Sequence, residues 1–141
     1  MSLVVEKELS GNDTGETGGH QAGMLIPKSG DVFQFFPTLP TNIKNPRTVI
    51  DLVDETGTIW SFNFIHYNNK FYGGTRNEYR LTGMTEFIRA FHLKTGDMVI
   101  LEKVSERVRR IRYRRKNQPL LGGPLKLGQT GWRVIHFSDN D

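Results

Sequence analysis

Two short polar segments hold the side chains best suited to chemistry in this chain. Asn12-Asp13-Thr14-Gly15-Glu16-Thr17-Gly18-Gly19-His20-Gln21 sets seven hydrogen-bonding side chains among three glycines. Gly73-Gly74-Thr75-Arg76-Asn77-Glu78-Tyr79-Arg80 has similar character and adds two arginines. Loops this rich in short polar residues are poor core material and costly to order, a cost that binding can return. Arginine can fork onto guanine O6 and N7, asparagine can pair with adenine, and glutamate can accept from cytosine N4. Arg76, Asn77, Glu78 and Arg80 suit that readout, although composition alone favours an ordinary turn there. Residues 12–21 read equally as a flexible loop, or as an arm whose glycines let the main chain approach a ligand closely. Two such arms on one small basic domain suggest a clamp around a duplex nucleic acid.

Catalytic patterns are missing by comparison. A metal-dependent nuclease needs carboxylates clustered near a lysine, to hold a metal and a water in line with a phosphate. Glu102-Lys103 lacks the spacer of a Glu-x-Lys pair, and Asp97 stands at the wrong distance before it. His20, His66, His92 and His136 show no i, i+4 pairing for zinc. Gly73-Gly74 is not followed by the Gly-Lys-Ser/Thr of a phosphate-binding loop. No cysteine is present, which removes disulfide scaffolds and thiol catalysis. No metal or cofactor is expected.

The 141 residues favour one domain, and 36% hydrophobic content suffices for a core. A net charge of +4 and a pI near 9.5 favour acidic partners without identifying one. The N-terminal residues form no secretory signal, and no apolar run is long enough to span a membrane. A cytoplasmic protein is the expectation.

Short strands separated by turns must position the arms. Residues 48–53 and 58–67 flank the turn Asp54-Glu55-Thr56-Gly57, with Trp60, Phe62 and Phe64 alternating against Ser61 and Asn63. Residues 70–72 and 98–104 continue the pattern. Ser29 is expected to cap one short helix. Met84, Phe87, Ile88 and Phe91 mark a second, with Thr82 as its cap. The run from Arg107 to Lys116 holds seven of the nineteen Lys and Arg residues. It reads as a phosphate-attracting surface or, with slight preference, a solvated edge strand whose charges block aggregation. Residues 117–130 read as a linker, and 131–137 as one more strand or the stub of a following domain. The expected architecture is mainly β, an open antiparallel barrel with two short helices over residues 1–116, and an extension over 117–141.

The motif at 12–21, followed by Ile26-Pro27, resembles the N-terminal effector domain of EcoRII-type restriction endonucleases. Thr75-Arg76-Asn77-Glu78 and then Arg80 match that family's second recognition arm in order. More broadly, Leu9 to Lys103 is similar to the B3 DNA-binding domain of plant transcription factors. The shared features are Ser10 with Asp13, Leu25-Ile26-Pro27-Lys28, Asp54 with Gly57 and Trp60-Ser61-Phe62, Phe87-Ile88-Arg89, and Leu93 to Asp97.

The resemblance implies a seven-stranded B3-like pseudobarrel that grips the major groove of double-stranded DNA between two arms. It implies a recognition sequence CC(A/T)GG and a separate nuclease module C-terminal to this one; nothing in residues 1–141 matches that module. Asn12, Asp13, Thr14, Thr17, His20, Gln21 and Lys28 on one side are then expected to contact DNA. Thr75, Arg76, Asn77, Glu78, Tyr79 and Arg80 are expected to do so on the other. Gly74 and Tyr79 stand where the EcoRII pattern has lysine. A B3-like transcription regulator is the alternative reading, and a nuclease encoded directly downstream would decide against it.

Overall fold

The computed structural model describes residues 2–16, 23–116 and 131–138, with backbone only for 136–138. Eight strands lie among them: β1 Ser2–Glu8, β2 Met24–Ile26, β3 Arg47–Val53, β4 Ile59–Tyr67, β5 Glu78–Thr82, β6 Met98–Lys103, β7 Arg109–Arg114 and β8 Trp132–Ser138. They form one sheet in the order β2-β5-β4-β3-β7-β6-β1-β8. Three one- to two-turn helices join them, α1 Gly11–Thr14, α2 Gly30–Gln34 and α3 Thr85–Ala90, with a 3-10 turn at Asn69–Tyr72.

The sheet curls because its two ends meet. The indole of Trp132 on β8 donates a 2.9 Å hydrogen bond to the carbonyl of Leu25 on β2. That bond links the two edge strands, and the Trp132 ring also meets Phe36 edge-on beside α2. The result is an open barrel around Phe35, Phe62, Phe64, Phe87, Leu52, Leu81, Leu101 and Ile111, all essentially without solvent contact. Helices this short survive by packing. In α3, Phe87 and Ile88 are buried beside Met84, and Phe91 is half-buried, as the stripe predicts.

Several expectations change. There are eight strands rather than seven and three short helices rather than two. The unforeseen strand β1 pairs with both β6 and β8. Its segment Leu3-Val4-Val5-Glu6-Lys7 is buried throughout, so two charges interrupt what would otherwise read as a strand. Glu6 is fully buried and paired with Arg114 at 3.2 Å and Arg133 at 2.7 Å. Thr82 ends β5, and Met84 occupies the N-cap of α3. Ser29 does occupy the N-cap of α2, as expected, but without a side-chain cap bond.

The basic run is not an edge strand. Strand β7 lies between β3 and β6, antiparallel to β6 over six residues and touching β3 at Val53–Arg110. Burial alternates along it: Arg109 and Ile111 are buried, Arg110 and Arg112 exposed. Arg109 faces inward, where the main-chain carbonyls of Phe35 at 3.1 Å and Glu106 at 3.2 Å accept from its Nε and Nη1, while its buried Nη2 finds no partner among the described residues. Burial lowers its pKa, yet a guanidinium stays charged at any physiological pH. An arginine at an apolar position is what hides the alternation in the sequence.

Candidate nucleic-acid interface

The two polar segments flank a single ribbon. Strand β2 pairs antiparallel with β5, Met24 opposite Leu81 and Ile26 opposite Tyr79. The first arm therefore joins β2 at the Thr82 end of β5. The second arm joins β5 at the opposite end, at Asn77-Glu78. Five residues of strand hold the two junctions roughly 13–17 Å apart, close to the ~12 Å width of a DNA major groove.

The base of the first arm is built into the barrel. Ser10 and Asp13 form a reciprocal capping box on α1: Ser10 Oγ accepts from the Asp13 amide at 3.2 Å, and the Asp13 carboxylate from the Ser10 amide at 3.0 Å. That carboxylate also meets Lys7 Nζ at 2.9 Å, with side-chain exposures of 8% for Lys7 and 7% for Asp13. Thr14 folds its hydroxyl back onto the Gly11 carbonyl, while Asn12 is exposed. Glu16 accepts from the Thr95 amide at 2.8 Å and its hydroxyl at 2.9 Å, which lowers its pKa and pins the arm to the 94–97 turn. Thr17, His20 and Gln21 lie outside the described residues.

Beyond the arm, Gly23 must be glycine. Its φ is +87°, and a Cβ there would lie 2.6 Å from the Leu81 carbonyl oxygen. The same residue receives the second arm, because Arg80 Nη1 donates to the Gly23 carbonyl at 2.9 Å. Arg80 thus links the two arms.

Alternation along β5 sorts the second set of candidates. Glu78 and Arg80 lie on the outer face with Arg76 beside them, whereas Tyr79 and Leu81 face the core. The Glu78 carboxylate bridges two guanidiniums, one oxygen accepting from Arg76 Nε and the other from Arg80 at 2.8 and 3.0 Å. Burial opposes its charge, but these bonds outweigh burial and lower its pKa. Arg76 is also held over the Tyr67 ring, 3.8 Å from its centroid. The row holds two guanidiniums on one carboxylate, Arg80 engaged through all three nitrogens and Arg76 through Nε.

Asn77 points the other way. Its Oδ1 lies 2.8 Å from His66 Nε2, and its carbonyl meets the exposed Lys28 Nζ at 3.4 Å. Tyr79 joins an aromatic column: its ring stacks on His66 at 4.1 Å and on Phe64 at 5.6 Å, and meets Phe33 edge-on at 4.8 Å. Burial raises its pKa. Thr75 is exposed. The geometry thus brings Arg76, Glu78 and Arg80 together outside, and sets Asn77 and Tyr79 beneath them.

Both departures from the EcoRII pattern have physical causes. A Cβ at Gly74 would lie 2.9 Å from the Asn69 Cβ, where the Gly74 amide bonds the Asn69 carbonyl. Tyr79 fills core space that a lysine would leave empty. Sequence reasoning gives no holding role to Tyr67, His66 or Glu16, which brace the two arms. Only the β4 alternation hints at His66 and Tyr67, and nothing local marks Glu16. Among the described residues, no three His, Asp or Glu side chains gather as metal ligands would.

This geometry has counterparts among known proteins. The family described as "Restriction endonuclease EcoRII, N-terminal" matches residues 2–109. A type II restriction enzyme, EcoRII of Escherichia coli, is 39% identical over 108 residues, covering 70% of this chain. That stretch spans only 25% of the relative's length. Among solved structures, the Arabidopsis FUS3–DNA complex matches with a TM-score of 0.59 at 21% identity, over 78% of this chain and 94% of that one. The fold is the B3-type pseudobarrel.

Proposed function

We propose, from the premise that this chain belongs to the EcoRII N-terminal family of restriction endonucleases, that it binds duplex DNA sequence-specifically as a recognition domain. The outward row Arg76–Glu78–Arg80, set at one end of a groove-wide ribbon, carries the reading. Arg76 and Arg80 offer guanidinium N–H groups for guanine, and Glu78 offers an acceptor for cytosine N4. That set matches the G·C-rich ends of CC(A/T)GG, the sequence we propose it reads. Residues 12–21 close on the duplex from the other end of the ribbon, where Asn12, Thr14, Thr17, His20 and Gln21 reach bases and phosphates. Lys28 and Thr75 supply backbone contacts.

Cleavage belongs to a different part of the full-length protein. We place a metal-dependent nuclease module C-terminal to this domain, in the prokaryotic cytoplasm, with the present chain contributing recognition and no catalysis. A B3-like transcription regulator would use the same surface, and the family match favours the restriction reading. Selection of bound duplexes from a random pool tests both target and function together. Enrichment of CC(A/T)GG supports the proposal, and a pool that stays random after several rounds contradicts it. Incubation of this chain with plasmid and Mg²⁺ should leave the plasmid intact; site-specific cuts would overturn the division of labour.

A further inference from the structure

A basic and apolar surface beside the second arm takes no part in that readout. Ile43 is 49% exposed, Phe71 65% and Tyr72 45%. Isolated exposed hydrophobics are ordinary, but these three lie on two segments bound tightly to each other. Asn68, itself buried, donates to the Ile43 carbonyl at 2.9 Å and accepts from the Asn45 amide at 2.7 Å. The Phe71 amide in turn bonds the Asn68 carbonyl, and the Lys70 amide bonds the Arg76 carbonyl. The surface is therefore a braced platform continuous with the recognition arm.

Its charge is one-sided. Residues 41–47 and 69–72 contain Lys44, Arg47 and Lys70 and no carboxylate. Arg47 opposes Ile65 on β4, and Ile65 opposes Arg80 on β5, which sets Arg47 in the outer row of the sheet. Cations interleaved with exposed aromatic rings fit a polyanion that also offers apolar sugar faces along its backbone.

We infer that this platform is a second DNA-contacting surface, gripping duplex that flanks the recognition site. Lys44, Arg47 and Lys70 meet phosphates, and Phe71 and Tyr72 pack on the sugar faces. The inference rests on the duplex-binding reading and extends its footprint. It is tested with two double variants, Lys44→Gln with Lys70→Gln and Phe71→Ala with Tyr72→Ala. Each is titrated against a duplex ending at the site and one carrying about ten extra base pairs on each side.

On the long duplex the aromatic variant should bind about fivefold or more weaker, with the short duplex and the melting temperature unchanged. The lysine variant should lower the slope of log affinity against log salt by about 2, for two lost phosphate contacts. If the wild type is sequence-specific and both variants match it on the long duplex, the platform is not a DNA surface. A wild type without sequence preference overturns the recognition reading, and this inference with it.

Discussion

At the residue scale, the interface is held by charges that neutralise one another before any ligand is present. Glu78 sits between Arg76 and Arg80, so removing it frees two cations as well as deleting an acceptor. Glu78→Ala should therefore weaken cognate binding while leaving non-specific binding equal or tighter, whereas uniform tightening on every sequence would deny it a reading role. Arg76→Ala should cost about 1–3 kcal/mol and relax preference at one base pair, as seen in competition binding. Asp13 differs from its neighbours. The composition of 12–21 suggests a side chain that can be lost without cost to the fold, but the buried partner Lys7 argues otherwise. Asp13→Ala should destabilise the domain by about 3 kcal/mol in a denaturant melt, because it removes the carboxylate from a buried ammonium that keeps its bond to the Glu8 carbonyl. Asp54 gives a pH signature. Burial opposes its charge, yet bonds from the Trp60 indole, the Thr56 hydroxyl and the Thr56 and Thr58 amides hold its pKa at about 2, against 3.8 ordinarily. Its stabilising effect is thus complete above the ordinary value and disappears as pH falls through about 2. Denaturant melts between pH 5 and 2 should show a loss in the wild type that is reduced in Asp54→Asn.

At the element scale, legibility follows periodicity. Strand β4 is plain because Trp60, Phe62 and Phe64 alternate cleanly, and α3 because Met84, Phe87, Ile88 and Phe91 share a face. Strand β1 is hidden by Glu6 and Lys7, because Arg114 and Arg133 are remote in sequence and Asp13 stands in a stretch that reads as loop. Strand β7 is visible as a strand but reads as an edge, since no local signal shows that Phe35 and Glu106 carbonyls will receive Arg109. The arms show the same split: the sequence names Arg76, Glu78 and Arg80, but that they share the outer face and bond to one another, while Asn77 and Tyr79 turn inward, depends on the pairing of β5 with β4. Strand β8 links to β2 across the open side of the barrel through Trp132, 5% exposed. Trp132→Ala removes its packing on Phe36 and its bond to Leu25, and should cost about 3–5 kcal/mol. Because Leu25 lies opposite Arg80, the same variant should also loosen the ribbon between the arms, visible as faster amide exchange in β2.

At the scale of the whole molecule, a curled sheet, two arms at the ends of one ribbon and an outer face of fixed cations support a single proposed property: discrimination between duplex sequences. A net charge of +4 supplies attraction to any DNA, so affinity alone proves little. Discrimination is the informative quantity. It is measured most directly by competition between a CC(A/T)GG duplex and a scrambled duplex of the same composition, at physiological salt. The cognate duplex should win by roughly a thousandfold or more. Equal affinities for the two duplexes would contradict the recognition role.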